Sequence, residues 1–137
     1  MATVCDTNIL IDLYGRAQAW HEWSVERIAD LRRQGRLVIN PLILAEFSVG
    51  YRSEADVRAV LEPALFDYER LPWNAAHPAG KAFLACRRDG GEKRSPLPDF
   101  YIGAHALVRG HRLLTRDASR YQSYFPDLKI ISPETHP

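Results

Sequence analysis

Cysteine is scarce in this chain. Cys5 and Cys86 are the two present, far apart and in no Cys-x-x-Cys pair. A cysteine zinc site and a disulfide framework are thereby excluded, and the usage fits a reducing cytoplasm. Long apolar runs are also missing. The longest, Ala82 to Cys86, has five residues, against about 20 for a membrane-spanning helix. No Lys or Arg precedes Arg16, and Asp6 interrupts the first apolar stretch, so no secretory leader is read and a cytoplasmic protein without membrane contact is expected. Net charge is nearly absent, since 18 basic residues face 17 acidic ones, leaving +1. Overall charge therefore carries no argument about nucleic acid, and electrostatic attraction must be local. Repeats, low-complexity tracts and long linkers are absent too. What remains, 46% hydrophobic and 26% charged residues over 137 positions, is the composition and length of an ordinary globular domain, read as one unit over 1–137.

The pattern along the chain alternates short apolar runs with helical segments. Thr3 to Cys5 reads as an opening strand. Thr7 or Asn8 can cap a short helix through Ile9 to Tyr14. Gln18 to Gln34 reads as a helix with Trp20, Trp23, Ile28 and Leu31 on one face, stopped by Gly35. Leu37 to Ile39 is a buried-type strand. Asn40-Pro41 then starts a helix running to about Gly50. Ser53 caps the next helix, limited by Pro63, and Phe66 to Leu71 reads as a short extended piece. Asn74 is the expected cap of a helix striped by Ala76, Ala79, Phe83 and Cys86, followed by the Gly/Pro/charged loop Asp89 to Pro98. Pro98 opens a helix through Val108, ended by Gly110. Arg112 to Thr115 is a strand, Ser119 to Tyr124 a helical turn, and Leu128 to Ile131 the last strand. Four to five short strands alternating with helices predict parallel pairing and a three-layer α/β/α fold.

Four acids occupy positions that this pattern does not require. Asp6 and Asp117 each lie just past a predicted strand, where open parallel sheets bind ligands. Asp99 lies in the first turn of the Pro98 helix. Glu46 is the only charge between Ile39 and Tyr51, on a helix that otherwise reads as buried. Taken singly, each reads equally well as a cap, a helix-terminus charge or a solvent-facing side chain. Converging at one edge, four carboxylates repel one another and resist desolvation, so a positive partner is required. Without Cys, HxxxH or HExxH ligands, that partner is a hard, oxygen-preferring ion, Mg²⁺ or Mn²⁺, which can generate hydroxide and support displacement at phosphorus. Thr7, Asn8 and Thr115 lie beside the acids and can orient waters or carboxylates, or serve as ordinary cap and turn residues.

The segments VCDTNILIDLYGR, NPLILAEFSVGY, PDFYIGAHALVRGHRLLTRDASRY and LKIISP together resemble PIN-domain ribonucleases, and among them the VapC-type toxins of bacterial toxin–antitoxin modules. The resemblance runs from Val4 to Pro133. It implies a compact α/β/α PIN-like domain whose acids, here Asp6, Glu46, Asp99 and Asp117, bind Mg²⁺ or Mn²⁺ for RNA hydrolysis. It also implies a homodimer and a cognate antitoxin that covers the cleft. The small polar residue that such proteins keep near the metal falls on Thr7, Asn8 or Thr115. The helix after Asp99 departs from the family's Ala-rich habit, placing Tyr101 and His105 near the expected site.

Local positive charge completes the picture. Arg87, Arg88, Lys93 and Arg94 flank the loop, and four arginines between Arg109 and Arg120 face one acid. Such clusters hold phosphate backbones or simply face solvent. Arg116, Arg112 and Arg94 are the candidate RNA contacts, Arg116 first because it lies between Thr115 and Asp117. Two other functions compete. One is a phosphoryl-transfer hydrolase with Asp6 as nucleophile, although DTN lacks the second acid two residues on. The other is a non-catalytic RNA- or partner-binding domain, which would not need all four acids.

Overall fold

A computed structural model describes residues 1–15, 19–61, 65–89 and 97–137. Gln18, Pro63, Lys93 and Arg94 lie outside the described residues, as does most of the Asp89 to Pro98 loop. The elements are β1 (Thr3–Cys5), α1 (Thr7–Tyr14), α2 (His21–Gln34), β2 (Leu37–Ile39), α3 (Pro41–Ser48), α4 (Glu54–Leu61), β3 (Asp67–Tyr68), a 3₁₀ turn (Trp73–Ala75), α5 (Ala76–Arg88), α6 (Leu97–Arg109), β4 (Arg112–Leu114), α7 (Ala118–Gln122) and β5 (Ile130–Ile131).

All strand pairs are parallel, in the order β3-β2-β1-β4-β5. In register, Val4 lies between Val38 and Leu113. The chain walks from β1 to β2 to β3 in one direction, then crosses back to β4 and β5 on the other side. Right-handed crossovers travelling in opposite directions put their helices on opposite faces. The packing agrees: α1 contacts α2 and α3, while α6 contacts α5 and α7. The result is the expected α/β/α sandwich. Its core is Val4, Ile9, Leu10, Val38, Ile43, Phe100, Ile102, Leu113 and Leu114, each at most 1% exposed.

Several starts and stops follow the sequence reading. Asn40 Oδ1 accepts from the Leu42 and Ile43 amides at 3.0 Å, Ser53 Oγ accepts from the Asp56 amide at 3.1 Å, and Gly110 closes α6 at φ +68°. Others differ. Asp6, not Thr7 or Asn8, caps α1, and the helix begins at Thr7. Asn74 caps nothing, because it is spent inside the 3₁₀ turn that feeds α5. On α2 the buried stripe is Ser24, Ile28 and Leu31. Trp20 is 41% exposed and stands edge-on to Trp23, whose indole N–H donates to the His136 carbonyl. α3 stops at Ser48 and buries Ile43 and Phe47, so its outer side, with Ala45, Glu46 and Val49, is open. Only two residues of the Phe66 to Leu71 piece pair, as an exposed edge strand, which keeps a bare sheet edge short.

Candidate active site

The strand order reverses between β1 and β4, and the crevice beyond their carboxyl ends is the topological switch point of this sheet. Asp6 leaves β1 into that crevice and is 5% exposed. Three donors hold its carboxylate, and Oδ1 keeps room for one more partner. Oδ1 accepts from the Thr7 amide at 2.8 Å, and Oδ2 accepts from the Thr115 hydroxyl at 2.8 Å and the Tyr121 phenol at 2.9 Å. Burial raises the Asp6 pKa above its ordinary 3.8; the three hydrogen bonds oppose the shift, and the nearby Glu46 charge adds to it.

Thr7 ties the second acid to the first. Its backbone holds Asp6, and its hydroxyl donates to Glu46 Oε1 at 2.6 Å, so α1 fixes the rotamer of an otherwise exposed side chain on α3. Thr115 is used to capacity: it donates to Asp6 and accepts from Asn8 Nδ2 at 3.3 Å and the Asp117 amide at 3.0 Å. Asn8 also accepts from the Arg116 amide at 3.3 Å, clasping the end of β4 to the start of α1. Thr7 and Thr115 therefore hold the carboxylates directly, and Asn8 braces Thr115.

Asp99, on the first turn of α6, is 8% exposed. Burial raises its pKa to about 6; Arg120 pulls it down, while Asp6 and Glu46 push it up. Asp117 stands open at the end of β4 and leaves the α7 N-terminus uncapped. Arg120 joins these two acids, with Nη1 2.8 Å from Asp99 Oδ2 and Nε 3.5 Å from Asp117 Oδ2. The predicted acids thus fall into two linked pairs, Asp6 with Glu46 through Thr7, and Asp99 with Asp117 through Arg120. Every donor among them is an oxygen, a set suited to Mg²⁺ or Mn²⁺ and not to soft metals.

The candidate RNA contacts separate. Arg116 is at the crevice, but its Nε donates to the buried Asp12 at 2.6 Å, which also accepts from Ser24 at 3.1 Å. Arg112 is not brought to the site. It starts β4, at the end of the strand away from the crevice, where it donates to Gln34 and to the Met1 carbonyl. Tyr101 is partly buried against the core.

His105 is wholly buried and contacts none of the four acids. With Glu69 and His111 it forms a cluster whose ligating atoms lie within 4.8 Å of one another, a spacing that could hold a metal ion. Its hydrogen bonds argue otherwise. Asn40 Oδ1 is committed to two backbone amides, so its Nδ2 must donate to His105 Nδ1 at 3.0 Å. The His105 proton is then on Nε2, donated to Glu69 Oε1 at 3.0 Å, and the lone pair a metal would need is not there. Arg36 takes Glu69 Oε2 at 3.0 Å. The cluster is a proton-satisfied strut between α3, α6 and β3.

Sequence reasoning missed Tyr121 and Asp12 and counted Arg120 only as one basic residue among four. Arg120 could have been paired with Asp117 from its i,i+3 spacing. Nothing local marks Tyr121, which reaches Asp6 from 115 positions away.

The PIN domain family model matches residues 3–124. The chain belongs to the PIN-domain family. Several solved structures superpose over nearly its whole length. VapBC2 from Rickettsia felis, bound to a promoter DNA fragment, superposes with a TM-score of 0.76 at 15% identity, covering 96% of this chain and 98% of that one. VapBC-1 from nontypeable Haemophilus influenzae gives 0.75 at 23% identity, and DNA-bound VapBC from Salmonella typhimurium gives 0.72 at 22%; both share those same coverages of 96% and 98%. At such identities the likeness speaks for the fold. The chain matches none of the curated proteins compared with it. No helix among the described residues is long and apolar enough to cross a membrane.

Proposed function

We propose that this PIN domain is a Mg²⁺- or Mn²⁺-dependent endoribonuclease, the toxin component of a toxin–antitoxin pair in the cytoplasm. What supports the reading is a chain of links beyond the ends of β1 and β4: Thr7 joins Asp6 to Glu46, Thr115 joins Asp6 to the Asp117 amide, and Arg120 joins Asp99 to Asp117. Those four acids would hold the ion. Bound there, a divalent cation supplies an activated water and stabilises charge on a phosphodiester in displacement. The protein's share is placement. Tyr121, Thr115 and the Thr7 amide fix the Asp6 carboxylate, and the Thr7 hydroxyl fixes Glu46. Arg116, anchored through Nε, keeps two Nη groups without a partner among the described residues, a fork suited to phosphate. Arg112 would meet RNA only away from the acids.

An aspartyl-phosphate mechanism is poorly served here, since Asn8 stands two residues after Asp6 where such enzymes need a second acid. A protein partner is supported by the VapBC complexes that share the fold. A groove of about 800 Å³ between α3, α4 and β3, lined by Leu44, Val57 and Leu61 together with the charged Arg52, Glu54 and Arg58, offers an amphipathic segment a seat. A homodimer completes the assembly proposed.

The test is RNA cleavage by the purified chain. Cleavage should cease in EDTA, return with Mg²⁺ or Mn²⁺, and be absent in Asp6→Asn. Undiminished cleavage in excess EDTA would exclude the metal mechanism. Sequencing RNA ends after induction, against the Asp6→Asn control, names the substrate.

A further inference from the structure

Among the described residues, Arg120 is the one cation in salt-bridge contact with the four acids. It lies one turn after Asp117, so the short α7 carries it back over the crevice. Its fork cross-links a largely buried acid on α6 to an open acid after β4. The Arg120 side chain is 38% exposed, so the guanidinium has a solvent path out that the Asp99 side chain, at 11%, does not.

We propose that Arg120 is the resident counter-cation of the acid site: it holds Asp99 and Asp117 together in the absence of metal, is displaced when a divalent ion takes those carboxylates, and then turns to the phosphate of the bound substrate. The argument is one of competition. Asp99 Oδ2 cannot give the same lone pairs to a guanidinium and to a metal ion, and two positive charges a few ångströms apart repel strongly in a partly desolvated crevice. Once released, the guanidinium stays tethered at the mouth of the site on a flexible stem, where an incoming phosphodiester is the next anion it meets. The cation that steadies the empty site is thereby the cation that receives substrate. Metal and guanidinium act in sequence on the same carboxylates.

This rests on the metal-site reading above, and the test separates the two. Mn²⁺ binding to the whole chain is measured by calorimetry without RNA, for wild type, Arg120→Gln and Arg120→Lys. Arg120→Gln should bind Mn²⁺ about tenfold more tightly, the equivalent of losing one charge-assisted hydrogen bond that the metal must otherwise break. Its KM for RNA should rise by about tenfold, again the worth of one such bond. Opposite signs for metal and RNA are what a merely structural arginine would not produce. Arg120→Lys, which keeps the charge, should stay within a few-fold of wild type for Mn²⁺. In wild type, the Arg120 Nε–H resonance, identified by its loss in Arg120→Lys, should move on adding diamagnetic Mg²⁺; this reading stands even if Arg120→Gln fails to fold. Equal or weaker Mn²⁺ binding by a folded Arg120→Gln, or an Nε–H resonance unmoved at saturating Mg²⁺, overturns the exchange while leaving the metal site standing. No Mn²⁺ binding by any of the three proteins overturns both.

Discussion

Replacing the Tyr121 hydroxyl by hydrogen removes one donor from Asp6 and leaves the ring packing in place. Tyr121→Phe should retain the fold and cleave RNA roughly tenfold more slowly, the worth of one hydrogen bond of ~1.4 kcal/mol to a charged group. Full activity in this variant would mean that the phenol only satisfies its own burial. Asp99 gives a prediction with a sign fixed by linkage. Its folded pKa, about 6, lies above the ordinary 3.8, so the native state holds the proton more tightly than the unfolded chain. Stability from this group is full below pH 3.8 and is lost as pH rises to about 6. Asp99→Asn should therefore stabilise the metal-free protein at pH 7.5, by about 1–2 kcal/mol after the lost Arg120 pair is discounted, and should change little at pH 3.5. Melting both proteins at both pH values decides it. A variant that melts far below wild type at pH 7.5 would make Asp99 a structural acid.

Elements were legible where a local rule had no rival. Asn40-Pro41 combines a cap with a proline at the first helical position, and α3 starts there. Asn74 offered the same kind of cap, but Pro72 leads into a 3₁₀ turn that absorbs it. The face of α2 was legible in Ile28 and Leu31, which are buried as expected, but Ser24, bonded to Asp12, completes the stripe while Trp20 stays exposed. The acids were legible as positions, from strand ends and one stray charge in α3. Most of their partners were not: the Arg120–Asp117 pair is local, but Tyr121 on Asp6 and Arg120 on Asp99 are contacts that only the folded chain creates. Packing between α6 and α7 is one of these. A Cβ on Gly103 would lie 2.7 Å from Phe125 Cε2 and 3.0 Å from Tyr121 Cδ1. Gly103→Ala should lower stability by about 1–3 kcal/mol through overpacking, and cleavage should fall with it as Tyr121 shifts from Asp6. Unaltered urea midpoint and activity would show that the rings give way freely.

Over the whole molecule, acid sensitivity falls to the strut rather than the crevice. Burial works against ionisation of Glu69, but hydrogen bonds from His105, Arg36 and His111 outweigh it and hold the pKa near 2 against an ordinary 4.5. Stability from Glu69 is full above pH 4.5 and is lost as pH falls toward 2. Burial also keeps the His105 pKa below its ordinary 6.5, so the unfolded chain takes up that proton first and stability declines as pH falls below 6.5. Both effects point the same way. Glu69→Gln should melt lower than wild type at pH 7, by about 2–3 kcal/mol, with the gap closing between pH 4.5 and 2. A gap independent of pH would assign the loss to packing instead.

The switch-point crevice has a consequence for synthesis. Asp6 is made 109 positions before its partner Thr115, and Asp117 follows that. A ribosome must translate nearly all of this stretch before the fourth acid exists, and β4 cannot dock beside β1 any earlier. A chain stalled, truncated or cleaved anywhere between the two ends carries the first acid without the last. If the four acids act together as proposed, a chain interrupted within that stretch is inactive by topology, because the two halves of the site meet only when β4 docks beside β1.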